Sequence, residues 1–278
     1  MYVYKLTRII FNDNTAIEPG NLTVIVGPNN SGKSRALKDI AAITTQSRRS
    51  DHPAPSVVVN EAEWPLPRNF QEVLDAYNFR RYRDHNGIWI VRALYPELCK
   101  EYIMTSRDWQ AIETQYSRME LEQEKRHLFI SEFGQGLMGF LTTENRLQLV
   151  QESSSPSHEL EEANLLQALY YGRSPLEKSI REVVKRAFVQ EIALDFTVPQ
   201  RLRLRVGNDF SELPTDPRDA APIVAQYEKL DEQGDGIRSF VGIVTAILVS
   251  KRSVFLIDEP EAFLHPPHAF RIGEFLAT

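Results

Sequence analysis

The octapeptide Gly27-Pro28-Asn29-Asn30-Ser31-Gly32-Lys33-Ser34 fits the pattern G-x-x-x-x-G-K-[ST] and follows an apolar run, Leu22 to Val26. A loop spelled this way asks for a strand before it and a helix after it. Leu22 to Val26 is therefore expected to be a buried strand, and the helix is expected from Gly32 to about Thr45. Glycines let successive backbone N–H groups curl around phosphate oxygens, and the start of a helix adds its positive dipole end. On this reading Gly27, Asn29, Asn30, Ser31 and Gly32 line a phosphate cradle, Lys33 neutralises phosphate charge, and Ser34 can ligate Mg²⁺.

Far along the chain, Ser253-Val254-Phe255-Leu256-Ile257-Asp258-Glu259-Pro260 is a short apolar strand that ends in two carboxylates and is stopped by proline. It has the form of a Walker B strand. Asp258 would hold Mg²⁺, and Glu259 would orient or deprotonate the water that attacks the γ-phosphate. Read alone, the same residues suit a buried strand surfacing at an acidic turn. A phosphate loop in the same chain favours the metal-and-water reading.

The chain has 278 residues, enough to bury a substantial core in one large or two modest domains. Its single cysteine, Cys99, cannot form an internal disulfide, and no apolar leader-like stretch stands at the N-terminus, so a reducing cytoplasmic setting is expected. The longest apolar stretch, Phe240 to Val249, falls short of the roughly 20 residues a membrane span needs. A formal net charge of −6 argues against wholesale coating of nucleic acid but leaves room for a local basic groove.

Lys33 and Asp258 stand 225 positions apart, far more than a minimal phosphate-loop core needs. Something large is inserted. Its entrance is the proline-rich stretch Ser50 to Pro67, and the inserted region, about 50–127, is expected to be mostly helical, with a helix over Asp108 to His127. A β segment is expected from Leu128 to Leu149, a flexible connection at Glu152 to Ser157, helices over Glu159 to Tyr170 and Pro175 to Val189, and strands near Leu194 to Val198 and Leu202 to Val206. These readings divide the chain into an N-terminal lobe, 1–150, and a C-terminal lobe, 151–278.

A third motif precedes the Walker B strand. Gln233-Gly234-Asp235-Gly236-Ile237-Arg238-Ser239 is a glycine-rich turn leading into the apolar helix Phe240 to Val249. The order of phosphate loop, long insertion, glycine-rich helix start and Walker B with a following glutamate resembles the ABC-type ATPases of the SMC and RecF kind. Within that group GPNNSGKS, DGIRSF, LIDEPE and Leu264-His265-Pro266 look most like the OLD-type ATPases, which are often paired or fused with a TOPRIM nuclease and associated with phage defence.

The resemblance implies an α/β fold: a P-loop NTPase built as a two-lobed ABC ATPase head with an insertion after the P-loop helix. It implies ATP and Mg²⁺ as cofactors and a dimer or higher oligomer that sandwiches ATP. In that arrangement Gly234, Gly236 and Ser239 of one subunit would approach the γ-phosphate held by the other. Three departures stand out. Gly234, Asp235 and Gly236 lack the serine that normally precedes the two signature glycines, unless Ser239 supplies the hydroxyl. The switch histidine of the family lies beyond Walker B, which suggests that the sequence is a fragment. No Asp-x-Asp pair occurs, so a TOPRIM nuclease would sit on another chain or in a missing C-terminal part.

Weaker constellations keep two readings each. Arg201, Arg203 and Arg205 share one face of a strand, suited to DNA phosphates or to solvent. Arg80-Arg81-Tyr82-Arg83 suits nucleic acid, a partner protein or a solvated helix end. His265 and His268 straddle two prolines without further metal ligands nearby. Gln135, in Phe133-Gly134-Gln135-Gly136, fits either a Q-loop glutamine sensing the metal or an ordinary glycine turn.

Three functions follow as expectations. The first is an ATP-driven clamp whose closure gates an effector, such as a nuclease, in anti-phage defence. The second is a nucleotide-dependent scaffold with slow or absent turnover. The third is a DNA-repair ATPase of the RecF or SMC kind that binds DNA directly.

Overall fold

The computed structural model describes residues 4–45, 56–77, 80–83, 89–95, 100–105, 109–156, 164–250 and 252–278. Cys99, the proline-rich entrance over 50–55, Asp108, Ser157 and the expected helix start at Glu159 lie outside the described residues.

The chain is a mixed α/β protein. It opens with β1 (Arg8–Phe11), β2 (Ala16–Ile17), α1 (Lys33–Thr45), β3 (Val59–Glu63) and α2 (Phe70–Tyr77). There follow β4 (Arg80–Arg83), β5 (Trp89–Tyr95), β6 (Lys100–Thr105), α3 (Trp109–Arg118), α4 (Glu122–Leu137), β7 (Met138–Leu141) and α5 (Asn145–Gln148). The remainder is β8 (Ser153–Ser154), α6 (Leu165–Phe188), β9 (Glu191–Asp195), β10 (Arg201–Gly207), α7 (Pro217–Val224), β11 (Glu228–Lys229), α8 (Asp235–Val249), β12 (Val254–Ile257) and α9 (Pro266–Leu276).

Two compact units emerge. The first comprises Met1–Ala93, Glu101–Phe140 and Lys251–Asp258; the second comprises Leu94–Lys100, Leu141–Ser250 and Glu259–Thr278. The division therefore falls near residue 140, and the Walker B strand returns to the N-terminal unit, unlike the simple split at 150 expected from sequence.

In the first unit β1 is the middle strand of a sheet ordered β2-β1-β3, both pairings antiparallel. The Asn12-Asp13-Asn14 turn closes the β1–β2 hairpin, with Asn14 at φ 65° and Asp13 Oδ1 accepting from the Thr15 N–H at 2.9 Å. Phe70, Phe129 and Phe133 form an aromatic cluster, with the Phe70 and Phe133 rings edge-on at 5.0 Å. Each fully buried ring of this kind contributes about 1.5–3 kcal/mol. The core also takes in Ile40 from α1 and Leu256 from β12, so the segments that carry the two phosphate motifs share one apolar interior.

Among its described residues the inserted region is not mostly helical. Three strands form a sheet ordered β4-β5-β6, with β4 antiparallel to β5, and among the described residues its helices are α2, α3 and the start of α4. Arg80-Arg81-Tyr82-Arg83 is β4 itself. The expected β segment over 128–149 is also corrected, because residues up to Leu137 belong to α4 and only β7 is strand. Gly134 reads as a turn glycine but serves helix packing: a Cβ there would lie 1.7 Å from the Thr44 carbonyl oxygen, so its lack of a side chain lets α4 meet α1.

The second unit packs α6 against α8, α9 and β9. Its sheet runs β11-β10-β8, and β9 pairs antiparallel with β10. The two expected helices are one: α6 passes through Pro175. Tyr171, Gly172, Ser174 and Pro175 are all exposed, so the Tyr171 carbonyl that loses its donor can turn to water instead. α8 buries Ile237 and every residue from Ser239 to Ala246, in keeping with its apolar sequence. None of the described helices is long and apolar enough to cross a membrane.

Candidate functional site

Gly27 to Gly32 forms a largely exposed loop whose turn is set by residue type. Asn30 sits at φ 63° and Gly32 at φ 91°, left-handed values that asparagine and glycine tolerate best. The Ser31 N–H donates to the Pro28 carbonyl, and the Ala36 N–H donates to the Gly32 carbonyl at 2.8 Å to start α1. The first turn of α1 carries no acid, so its N–H groups keep their pull on an anion. Lys33 Nζ donates to the Gly27 and Pro28 carbonyl oxygens, each at 2.8 Å, and so lies folded over the loop.

The strand expected ahead of the loop does not form. Leu22–Val26 joins no ladder among the described residues, and Leu22, Val24 and Val26 are 49%, 70% and 83% exposed. Burial of such a run requires a neighbouring strand edge. Among the described residues no strand pairs with it, and β3 and β12 each have a described partner on one side only.

α1 is anchored from behind by Asp39. Its carboxylate accepts from the N–H groups of Val57, Val58 and Val59 and from Arg35 Nε. Burial alone would push the Asp39 carboxyl up, but the three backbone donors and Arg35 outweigh it and hold it below the ordinary carboxylate value. The helix that follows the loop from Gly27 to Gly32 is thereby tied to the backbone of Val57, Val58 and Val59.

β12 pairs with β7 and packs on α1. This brings Asp258, at the end of β12, to Ser34, in the first turn of α1: Ser34 Oγ donates to Asp258 Oδ1 at 2.8 Å. The donor set fits a hard divalent cation. A hydroxyl and one carboxylate match the habit of Mg²⁺, which takes few protein oxygens and completes its shell with phosphate and water. Among the described residues no cluster of three or more His, Cys, Asp or Glu side chains competes as a metal site.

Glu259 follows Asp258 directly, exposed and with φ 46°, a left-handed conformation unusual for glutamate. The turn it opens is closed by Ala262 N–H to Glu259 carbonyl and Leu264 N–H to Glu261 carbonyl bonds, and Phe263 is again left-handed at φ 69°.

The glycine-rich motif starts α8 with Gly234 as an open N-cap, with no atom within 4 Å of where its Cβ would be. Gly236 is different: a Cβ there would lie 2.8 Å from the Phe263 carbonyl oxygen, so this glycine lets α8 pack on the turn after Walker B. Ser239 is corrected as a nucleotide contact. It is 0% exposed on the inner face of α8, and its Oγ has no hydrogen-bond partner among the described residues, so it cannot present a hydroxyl outward.

The remaining residues are dispersed. Gln135 lies in α4 with its amide 3.5 Å from the Thr45 carbonyl, at the opposite end of α1 from Lys33, and is not brought to Ser34 and Asp258. The arginine face of β10 is already engaged: Arg205 donates to Asp195 at 2.9 Å, Arg203 approaches Asp195 and Glu152 at 3.6 Å each, and Arg201 pairs with Glu152 at 3.1 Å. Arg201 is exposed, in keeping with a solvated face, whereas Arg203 and Arg205 are largely enclosed and face carboxylates. The His268 ring lies 4.2 Å from the Phe188 ring, tilted by 37°, and His265 occupies the N-cap position of α9.

Sequence reasoning missed Arg146, which is 0% exposed in the second unit. Its guanidinium donates to the Glu259 carbonyl at 2.9 Å and the Ala262 carbonyl at 3.4 Å. The only local signal was Thr142 and Asn145, which exchange backbone-to-side-chain bonds in the manner of a capping box and place Arg146 in α5.

Compared with known proteins, the chain matches no family model and no curated protein.

Proposed function

We propose that the chain binds ATP with Mg²⁺ and hydrolyses it, as a P-loop NTPase. The observation that carries this reading is the Ser34–Asp258 hydrogen bond, which joins two motifs of independent sequence meaning into one oxygen pair beside a phosphate loop. Gly27 to Gly32 and the start of α1 supply N–H groups for the β- and γ-phosphates, and Lys33 would exchange its two carbonyl acceptors for phosphate oxygens. Ser34 and Asp258 would hold the cation, which spreads the charge of the phosphates. Glu259 is the proposed base: water attacks the γ-phosphorus, its proton passes to the Glu259 carboxylate, and the bond to the bridging oxygen breaks with its electron pair leaving on ADP.

The finer reading rests on motif wording. It is an OLD-like, ABC-type head in the cytoplasm that self-associates around ATP and gates a nuclease or other effector. A second reading has its own support. With Ser239 enclosed and Gly236 engaged by the Phe263 carbonyl, the glycine-rich motif has a packing role, which favours an ATP-ordered scaffold with slow turnover. Direct DNA binding through β10 is disfavoured, since Arg203 and Arg205 already face carboxylates.

The test is the steady-state ATPase rate against protein concentration, with Glu259→Gln as control. A specific rate that rises with concentration supports active sites formed between subunits. A rate equal to the control at every concentration, with ATP still bound, leaves the scaffold. Failure of ATP to bind at all removes the NTPase reading.

A further inference from the structure

An arginine without exposed surface depends on hydrogen-bond acceptors, because an unpaired buried cation is strongly unfavourable. Arg146 finds them in one short stretch, the turn from Glu259 to Phe263. That turn is under strain at both ends, since Glu259 and Phe263 are left-handed residues with side chains. Such backbone persists only where its surroundings over-determine it. Three features do so here. Arg146 donates to two carbonyls within the turn, its guanidinium lies 6.0 Å from the centre of the Phe263 ring, and Gly236 admits the Phe263 carbonyl against α8.

Arg146 is itself fixed at its backbone. A Cβ on Gly242 would lie 2.3 Å from the Arg146 carbonyl oxygen, so α5 presses directly on α8, and the Thr142–Asn145 exchange sets the start of α5. One helix, α8, thus backs both the arginine and the turn it holds.

We infer that Arg146 is a positioning residue for Glu259: it holds the left-handed backbone at that residue and so sets the direction of the carboxylate. The catalytic meaning of this role rests on the proposed ATPase reading, whereas the strut itself does not. Arg146 touches no nucleotide on this account. Its loss should therefore act on turnover and leave the phosphate loop, which belongs to the first unit, its affinity.

The experiment uses the full chain carrying Arg146→Lys, which keeps the charge but shortens the side chain and removes the Nη2 that makes both bonds. Amide hydrogen exchange comes first, because it needs no ATP. The amides of Ala262 and Leu264 should exchange at least about 10-fold faster, while those in the middle of α8 keep their protection. Unchanged exchange at Ala262 and Leu264 overturns the strut whether or not the protein is an ATPase. Turnover comes second: kcat should fall about 10- to 100-fold with ATP affinity within about twofold, and Arg146→Lys should cost nothing further in a Glu259→Gln background. A wild-type kcat in Arg146→Lys, beside a strong loss in Glu259→Gln, overturns the positioning role while leaving the ATPase intact. If Arg146→Lys does not fold, Asn145→Ala, which loosens α5 but keeps the guanidinium, should show the same exchange pattern at smaller amplitude; protection at wild-type level there overturns the inference.

Discussion

Ser34 Oγ and Asp258 Oδ1, 2.8 Å apart, belong to residues separated by 224 positions, and α1 and β12 must both be in place before they meet. On the proposed function this is the oxygen pair that would hold the cation.

Removing either half should separate metal use from nucleotide capture. Ser34→Ala and Asp258→Asn are each expected to lower kcat by about 10²-fold or more at fixed Mg²⁺, because the metal places the phosphates for in-line attack. Lys33→Ala should instead abolish ATP binding. Titrating ATPase activity and nucleotide affinity against free Mg²⁺ checks this. Ser34→Ala activity equal to wild type at all Mg²⁺ concentrations would remove the hydroxyl from the metal site.

Acid should weaken the site through Asp39. Its folded-state value lies below the unfolded value of about 3.8, so its contribution is complete above that pH and is lost as pH falls toward the lowered native value. Asp39→Ala should destabilise the chain by about 3 kcal/mol at neutral pH, since three backbone N–H groups and Arg35 lose their acceptor. It should also flatten the decline in stability below pH 4. Denaturant midpoints measured from pH 7 to pH 3 report both effects, and parallel curves for the two proteins would count against this anchor.

The β10 arginines are expected to matter for stability, not for phosphate binding. Asp195 would be raised by burial, yet its bonds from Thr197 and Arg205 hold its carboxyl down, so Arg205→Ala leaves a buried carboxylate with only the longer 3.6 Å approach of Arg203. A loss of about 3–5 kcal/mol follows from breaking one side of such a pair. Arg201→Ala, at the exposed end of the strand, should be nearly silent. Thermal melts of both variants decide it, alongside a salt titration of any DNA binding, which neither variant should alter.

The helix that starts at Lys33, the strand that ends before Asp258 and α8 were legible because each follows from a local residue pattern. What stayed hidden depends on partners distant in the chain. Gly134 and Gly136 look like chain breakers over 128–149, yet Gly134 is small because Thr44 presses on it. Leu22–Val26 has strand composition, but among the described residues it pairs with no strand. Arg146 looks like any surface arginine, and its acceptors lie 113 and 116 positions away. Ser239 stood in the right motif, and only the packing of α8 reveals that it faces inward.

The distance in sequence between Ser34 and Asp258 also orders events in time. Closing a loop of 224 residues carries a chain-entropy cost of about 5 kcal/mol, so nothing local can assemble this oxygen pair early. During synthesis the phosphate loop leaves the ribosome first and must wait, incomplete, until Asp258 has been added and β12 has docked. A nascent chain at that stage offers Lys33 and its loop but no acidic partner for the cation. On the proposed function, tight binding of nucleotide with its metal would thus be a late property of the maturing chain, gained only after the long stretch between Ser34 and Asp258 has been made and folded.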